Sequence, residues 1–262
     1  MGYNPTMKIA TWNVNSVKAR LPRLLEFLAL YRPDALCIQE TKSTPEAFPH
    51  AEFAERGYLA ADASGGPWAG VAVLAPQDRP PEDVRKGFPG NPLPGEARWI
   101  EATVGGVRIA SVYVVNGRSL EDPMFGAKLA FLDAMARRAG ELSGGPFVMA
   151  GDFNIAPADI DVYDPNLFVG ATHVSPEERG RLRTILDAGL VDAFRHLHPE
   201  TAQPTWWDYR GGNFHRGLGL RIDLMLVSRP LAGGLASCGI DRNFRKGPKP
   251  SDHAPLLAEI ET

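Results

Sequence analysis

Asp152 and Asn154 stand two residues apart in Gly151-Asp152-Phe153-Asn154, directly after the apolar run Pro146-Phe147-Val148-Met149-Ala150. A short run of that kind reads as a buried strand. Residues two apart on extended backbone point the same way, so both polar tips can face one site. Asp supplies two negative oxygens, and Asn a donor and a neutral acceptor. Together they suit a water held beside an anionic substrate. The ordinary alternative is a strand ending in an Asx turn, because Asp, Asn and Gly also turn chains. Recurrence weighs against that alternative. Asn13, Glu40, and Tyr113 with Asn116 also close apolar strands, Asp223 opens another, and Ser251-Asp252-His253 precedes the last. Six such placements point to one shared face, where ligands collect in α/β sheets.

The residue types narrow the chemistry. Glu40 has no Cys or clustered His beside it, and a hard oxygen ligand suits Mg²⁺ or Mn²⁺ rather than zinc. Mg²⁺ binds through one or two carboxylates plus substrate phosphate oxygens. His253 is the one plausible titrating imidazole of the set. A contact with Asp223 or Asp252 raises its pKa. Protonated His253 then donates to phosphate oxygen, and Asp152 is left to orient or deprotonate water. The plainer readings are a structural His-Asp pair for His253 and a half-buried strand aromatic for Tyr113. No Gly-x-Ser-x-Gly turn is present, which argues against a serine hydrolase.

Strands and helices must position these groups. Lys8–Trp12, Ala35–Ile38, Gly70–Ala75, Arg98–Val104, Val107–Val114, Ile222–Val227 and Leu256–Ile260 read as strands. Gly105-Gly106 joins two of them as a hairpin. Leu21, Leu24, Leu25 and Leu28 form the stripe of a helix capped by Ser16. Periodicity predicts a second helix over Lys128–Leu142. Thr44-Pro45-Glu46 reads as the cap of a short helix, and Ser175-Pro176-Glu177-Glu178 as a capping box. Pro76 to Gly95 reads as a long surface loop. Mixed strands and helices with hairpins imply α/β layers, not a purely parallel sheet.

The chain has 262 residues, 44% apolar, enough for one large core. Net charge is -3, yet Trp206 to His253 carries eight Lys or Arg against four Asp. A basic face on a mildly acidic chain fits a polyanionic partner, and equally an ordinary solvated surface. Two cysteines, Cys37 and Cys238, form no disulfide framework or zinc spacing, which suits a reducing cytoplasm. No apolar run reaches membrane-spanning length. Met1 to Thr6 reads as an extension before a single domain from Met7, itself a plausible second start. The formal myristoylation match of Met1-Gly2 with Thr6 is set aside, since no polybasic patch follows.

Seven segments, in order, carry a family resemblance: Thr11-Trp12-Asn13-Val14-Asn15, Gln39-Glu40-Thr41-Lys42, Tyr113-Val114-Val115-Asn116-Gly117, Gly151-Asp152-Phe153-Asn154, Trp206-Trp207-Asp208-Tyr209, Gly219-Leu220-Arg221-Ile222-Asp223 and Ser251-Asp252-His253. Together they span nearly the whole chain. The sequence resembles the endonuclease/exonuclease/phosphatase superfamily, and within it the exonuclease III type of apurinic/apyrimidinic endonuclease. The resemblance implies a four-layer sandwich of two mixed β-sheets flanked by helices. It implies Glu40 as Mg²⁺ ligand, Asn13 supporting the metal and Asp152, and Asp252 as a second metal-side carboxylate. Asp152 would position or activate water, and Asn154 and Tyr113 would hold the scissile phosphate with help from Asn116. Asp223 would orient His253. Asn15 is an amide where some relatives carry Asp, and Val115 replaces a common proline.

The implied substrate is duplex DNA with an abasic site or a blocked 3′ end, taken by a monomer in the cytoplasm, at the nucleoid when on DNA. Extruding an abasic sugar is cheap, since pairing and stacking are already gone. Trp206, Leu220 and Ile222 match pocket-lining positions, and Trp207 is expected in the core. Lys18, Lys42, Arg118, Arg216 and Arg221 are candidate phosphate contacts, because such contacts position DNA without reading sequence. Alternatives are a lipid or inositol-phosphate hydrolase of the same superfamily and a non-catalytic DNA-binding protein.

Overall fold

The structure is a computed structural model and describes residues 6–262. The chain folds as β1 (Thr6–Asn13), α1 (Val17–Tyr31), β2 (Ala35–Gln39), α2 (His50–Ala54), β3 (Tyr58–Ala63), β4 (Val71–Pro76), β5 (Glu82–Lys86), β6 (Trp99–Val104), β7 (Val107–Tyr113), α3 (Pro123–Leu142), β8 (Phe147–Asp152), α4 (Pro176–Asp187), β9 (Leu190–Asp192), β10 (Asp223–Ser228), β11 (Leu235–Ile240) and β12 (Leu256–Glu261), with short helical turns between. The first sheet runs β11-β12-β1-β2-β4-β3, the second β5-β6-β7-β8-β10-β9.

Both sheets are mixed, as expected. β1 pairs parallel with β2 and antiparallel with β12; β8 pairs parallel with β7 and antiparallel with β10. β2, β8 and β10 are buried at every residue, the signature of strands covered on both faces. Ile9, Cys37 and Val73 meet Ile109, Val148 and Met225 between the sheets. Outside the first sheet, Leu24, Phe27 and Leu28 of α1 pack on Trp12 and Leu36. Outside the second, Phe131 and Met135 of α3 and Leu182 and Ile185 of α4 pack on Phe147 and Met149. The result is the four-layer order of helix, sheet, sheet, helix.

Several boundaries differ from the sequence reading. Pro76 to Gly95 is not all loop: it holds β5, exposed at all five residues, so no apolar signal marks it. Edge strands β3 and β11 are rich in small or exposed residues and gave no signal either. α3 begins at Pro123, five residues before the apolar repeat, because Asp122 caps it and accepts from the Met124 amide. Thr44 makes no side-chain cap, and Pro45–Ala47 is only a 3₁₀ turn. The Ser175–Glu178 capping box is present as read. β1 starts at Thr6, inside the expected extension, and the rest of that extension lies outside the described residues.

Candidate active site

Strand register builds the site. Tyr113 on β7 pairs with Asp152 on β8, and Asp152 pairs with Asp223 on β10. Three polar side chains therefore sit in a row at one rim of the second sheet. Asn13 pairs with Gln39 where β1 and β2 end, and Glu40 follows with φ 51°. Gly151 permits the close approach of β7 and β8: an added Cβ would lie 1.9 Å from the Val112 carbonyl oxygen.

Hydrogen bonds join the two rims. Asn13 Nδ2 donates to Glu40 Oε1 at 2.8 Å and to Asp152 Oδ2 at 2.9 Å. The Asn154 amide N–H donates to Asp152 Oδ1 at 2.9 Å, and Asn154 adopts φ 52°. The two residues are joined by an Asx turn, which swings the Asn154 amide over Asp152. Asn154 Nδ2 donates to the Val114 carbonyl at 2.9 Å, and Asn116 Nδ2 to Asn154 Oδ1 at 3.3 Å. His253 Nδ1 lies 2.8 Å from Asp223 Oδ2, and its Nε2 3.8 Å from Asp152 Oδ2. Trp12 Nε1 donates to the His253 carbonyl at 3.0 Å, and Ser251 Oγ to the Asn13 carbonyl at 2.7 Å. Residues 241 positions apart in sequence are so fixed to one another.

Charge crowding sets the protonation states. Burial pushes the Asp152 carboxyl up to about 7; His253 opposes this, and Asp223 and Glu40 add to it. Burial alone would lower the His253 pKa, but Asp223, Asp152 and Asp252 outweigh it and raise it to about 10. His253 is therefore an imidazolium, with one N–H on Asp223 and the other free for an anion. Tyr113 is held far above the ordinary phenol range by burial first, then by Glu40 and Asp152, so it stays a donor.

Glu40, Asp152 and His253 each offer one atom, and these atoms lie within 4.8 Å of one another. With His253 protonated, the two carboxylates carry the cation-binding capacity. Two hard oxygen donors held this close, one of them in a buried carboxyl, fit a divalent metal ion. Asn13 spaces the carboxylates, while its own oxygen accepts from the Asn15 amide at 3.0 Å. Asp252 stands outside this cluster: its oxygens accept from Asn15 Nδ2 at 3.0 Å and Trp206 Nε1 at 3.1 Å. Burial raises the Asp252 pKa, but His253 and these two donors more than reverse it.

An apolar nest lies beside the acids. Leu220 and Ile222 are buried against Ala156 and Val162, with Trp206 and Phe168 packed on them. Trp206 bridges to both Leu220 and His253. Trp207 is a core residue with no exposure. Of the candidate cations, Lys18, Arg118 and Arg216 are exposed. Lys42 Nζ lies 2.8 Å from Glu40 Oε2 and 2.5 Å from Asn15 Oδ1. Arg221 corrects the sequence reading. It is fully buried, with Nε 2.7 Å from Asp161 and Nη1 2.8 Å from Asp192, and cannot meet DNA phosphate. A guanidinium in an apolar motif is indistinguishable in sequence from a phosphate ligand; only its buried partners decide.

Sequence reasoning missed Lys128, Thr172, His173 and Glu178, which lie directly behind Asn116 and Asn154. The available signal was a lysine inside the apolar face of α3. Burial, with the Lys128 charge adding, holds the His173 pKa down at about 4, and its Nδ1 lies 2.6 Å from the Asn154 carbonyl.

Comparison with known proteins agrees with this geometry. The profile of the Endonuclease/Exonuclease/phosphatase family matches residues 10–253. The chain belongs to that family. It is 34% identical to exodeoxyribonuclease III of Haemophilus influenzae, over 97% of this chain and 100% of the relative. The structure of a 3′-5′ exonuclease, NExo, from Neisseria meningitidis is 42% identical with a TM-score of 0.94, covering 98% of this chain and 100% of that one. A second structure of the same enzyme, described as a 3′ phosphatase, is bound to a product DNA hairpin. An AP endonuclease from Archaeoglobus fulgidus is 35% identical, with a TM-score of 0.94 and coverage of 98% and 100%. Like these exonuclease III-type family members, the chain is a DNA-repair nuclease. Among the described residues, no helix is long and apolar enough to cross a membrane.

Proposed function

We propose that this nuclease hydrolyses duplex DNA on the 5′ side of an abasic site, leaving a 3′-hydroxyl, and clears nucleotides and blocking groups from 3′ ends. All these reactions break a bond between phosphorus and a 3′ oxygen, so one site serves them. The observation that carries the reading is the Asp152 carboxylate held among Asn13, Asn154 and His253. Asp152 orients the attacking water and takes its proton. Asn154, Tyr113 and protonated His253 donate to the phosphate oxygens as negative charge builds on them. Glu40, with Asn13 and Asp152 beside it, would hold the metal, for which we propose Mg²⁺, with Mn²⁺ as its substitute. Such an ion neutralises phosphate charge in the transition state. Trp206, Leu220 and Ile222 form the nest for the extruded sugar. Lys18, Arg118 and Arg216 face the phosphate backbone, with Lys42 beside Glu40, while Asp252 supports the site from outside the metal cluster through Asn15 and Trp206. Two buried free cysteines suit the reducing cytoplasm, where we take the enzyme to work as a monomer, at the nucleoid when on DNA.

A 3′-end enzyme that leaves abasic sites alone is the second reading, favoured by the 42% identity to an exonuclease and 3′ phosphatase. The test uses end-labelled duplexes carrying an abasic site, a 3′-phosphate or no lesion, and a soluble phosphoester, each with Mg²⁺ or EDTA. We expect Mg²⁺-dependent cutting 5′ to the abasic site together with phosphate release from the 3′ end. Release from the 3′ end alone establishes the second reading. Turnover of the soluble ester with both damaged duplexes untouched overturns both.

A further inference from the structure

We infer that Lys128 and Glu178 form a buried positioning pair that aims the two asparagine amides of the active site. The inference rests on the phosphodiesterase reading above and assigns that site two more residues. Lys128 lies on the inner face of α3 and Glu178 in the first turn of α4; neither side chain is exposed. The pair is close and direct. Lys128 Nζ also lies 2.8 Å from the Asn154 carbonyl and 3.1 Å from the Asn116 carbonyl, which with Glu178 take its three N–H groups; Thr172 Oγ1 stands 3.3 Å away and donates in turn within the same cluster. One ammonium therefore spans both loops that carry the phosphate-facing amides, and those amides are bonded to each other.

The placement explains why so costly a group is buried there. A lone ammonium among apolar side chains is strongly unfavourable, and even a paired one gains little net stability. Asn154 sits at φ 52°, where a non-glycine residue is uncommon. Its carbonyl must be held for that turn to persist, and Lys128 and His173 hold it from behind. Glu178 in turn accepts from the Ser175 amide and hydroxyl and from the His173 amide. It thereby ties the start of α4 to the loop that reaches the site. A hydrophobic pair in the same space would fill it but leave the Asn154 carbonyl to His173 alone and the Asn116 carbonyl to Thr172 alone, with no single donor spanning the two loops. The pair touches no reacting atom; it acts through Asn116 and Asn154.

The test compares wild type, the double variant K128M/E178Q, which removes both charges at once, and T172V, which leaves the ion pair intact. Each is assayed on the DNA substrate that wild type cleaves. Side-chain amide signals of Asn116 and Asn154 are followed by ¹⁵N NMR, with thermal melting as the folding control. We expect the folded double variant to lose roughly a hundredfold in kcat, the scale of removing one transition-state donor. KM should change less than threefold, and both asparagine signals should move. T172V should lose a few-fold in kcat and shift the Asn116 signal. A folded double variant with kcat within threefold of wild type and unmoved asparagine signals overturns the inference. If the double variant does not fold, the single variant E178Q, which breaks the ion pair, decides: unchanged kcat and unmoved Asn116 and Asn154 signals overturn it. Absence of DNA cleavage by wild type would instead sink the functional reading, so the two failures are distinguishable.

Discussion

The acid cluster and the apolar nest adjoin one another, yet they are held by different means. Tyr113, Asp152 and Asp223 are locked by the register of three neighbouring strands. Shifting any of them requires a slip that would turn a whole strand's side chains to the wrong face. Trp206 is held by isolated bridges to Leu220 and His253, and Phe168 and Val174 reach the nest from outside the strands. The contrast teaches a division of labour. On the proposed reading, phosphoester chemistry would sit on the rigid frame and the choice of substrate on segments that can change without disturbing the sheets. Substitutions in the cluster should then depress every substrate alike, and substitutions in the nest should change their ratio.

The sharpest break of that division is D152N. It should cost at least about 10³-fold in kcat on every DNA substrate while binding persists, because it removes the proton acceptor. Near-normal turnover on any one substrate would take Asp152 out of the shared chemistry. Next comes R221A, which leaves Asp161 and Asp192 buried without their guanidinium. Breaking a buried pair in this way costs about 3–5 kcal/mol, read by denaturant melts. A change in the salt dependence of DNA binding, with stability untouched, would restore Arg221 as a phosphate contact. W206A should shift the ratio of abasic cutting to 3′-phosphate release by roughly tenfold, the scale of a hydrophobic-pocket contact. Equal losses on both substrates would erase the line between nest and cluster.

The smallest effect is on stability against pH in the metal-free protein. The Asp152 pKa is raised from its ordinary 3.8 to about 7 on folding. Its contribution to stability is therefore fully present below the ordinary carboxylate pKa and is lost as pH climbs through about 7. His253, raised to about 10, contributes below its ordinary pKa and loses that contribution as pH rises through about 10. D152N cannot ionise, so in EDTA its melting temperature should gain on wild type between about pH 4 and pH 8. A gap independent of pH would mean that burial and the neighbouring carboxylates do not raise the Asp152 pKa.

The sequence made the frame legible and the nest's support illegible, for physical reasons. Central strands such as β2 and β8 are continuous apolar runs that stop at polar residues, so both the strand and its functional end are written locally. β5 and β11 sit on sheet edges and carry no such run. The Asp152–Asn154 spacing admitted either an Asx turn or a paired site on extended backbone; the structure shows the turn, with Asn154 at φ 52° and its amide on Asp152. Arg221 and Lys128 failed in opposite directions. Each is one cation within an apolar segment, and nothing local separates a substrate contact from a buried ion pair. Their partners, Asp161 and Glu178, lie 60 and 50 residues away, beyond the reach of any local pattern.

Convergence of Glu40 and Asp152 on one divalent cation is the claim on which the chemistry depends, and Mn²⁺ titration followed by electron paramagnetic resonance tests it without any substrate. The wild-type chain should remove the free Mn²⁺ signal saturably, and E40Q and D152N should each weaken binding by about tenfold or more. Binding by both variants indistinguishable from wild type would place the metal elsewhere and contradict the site described above.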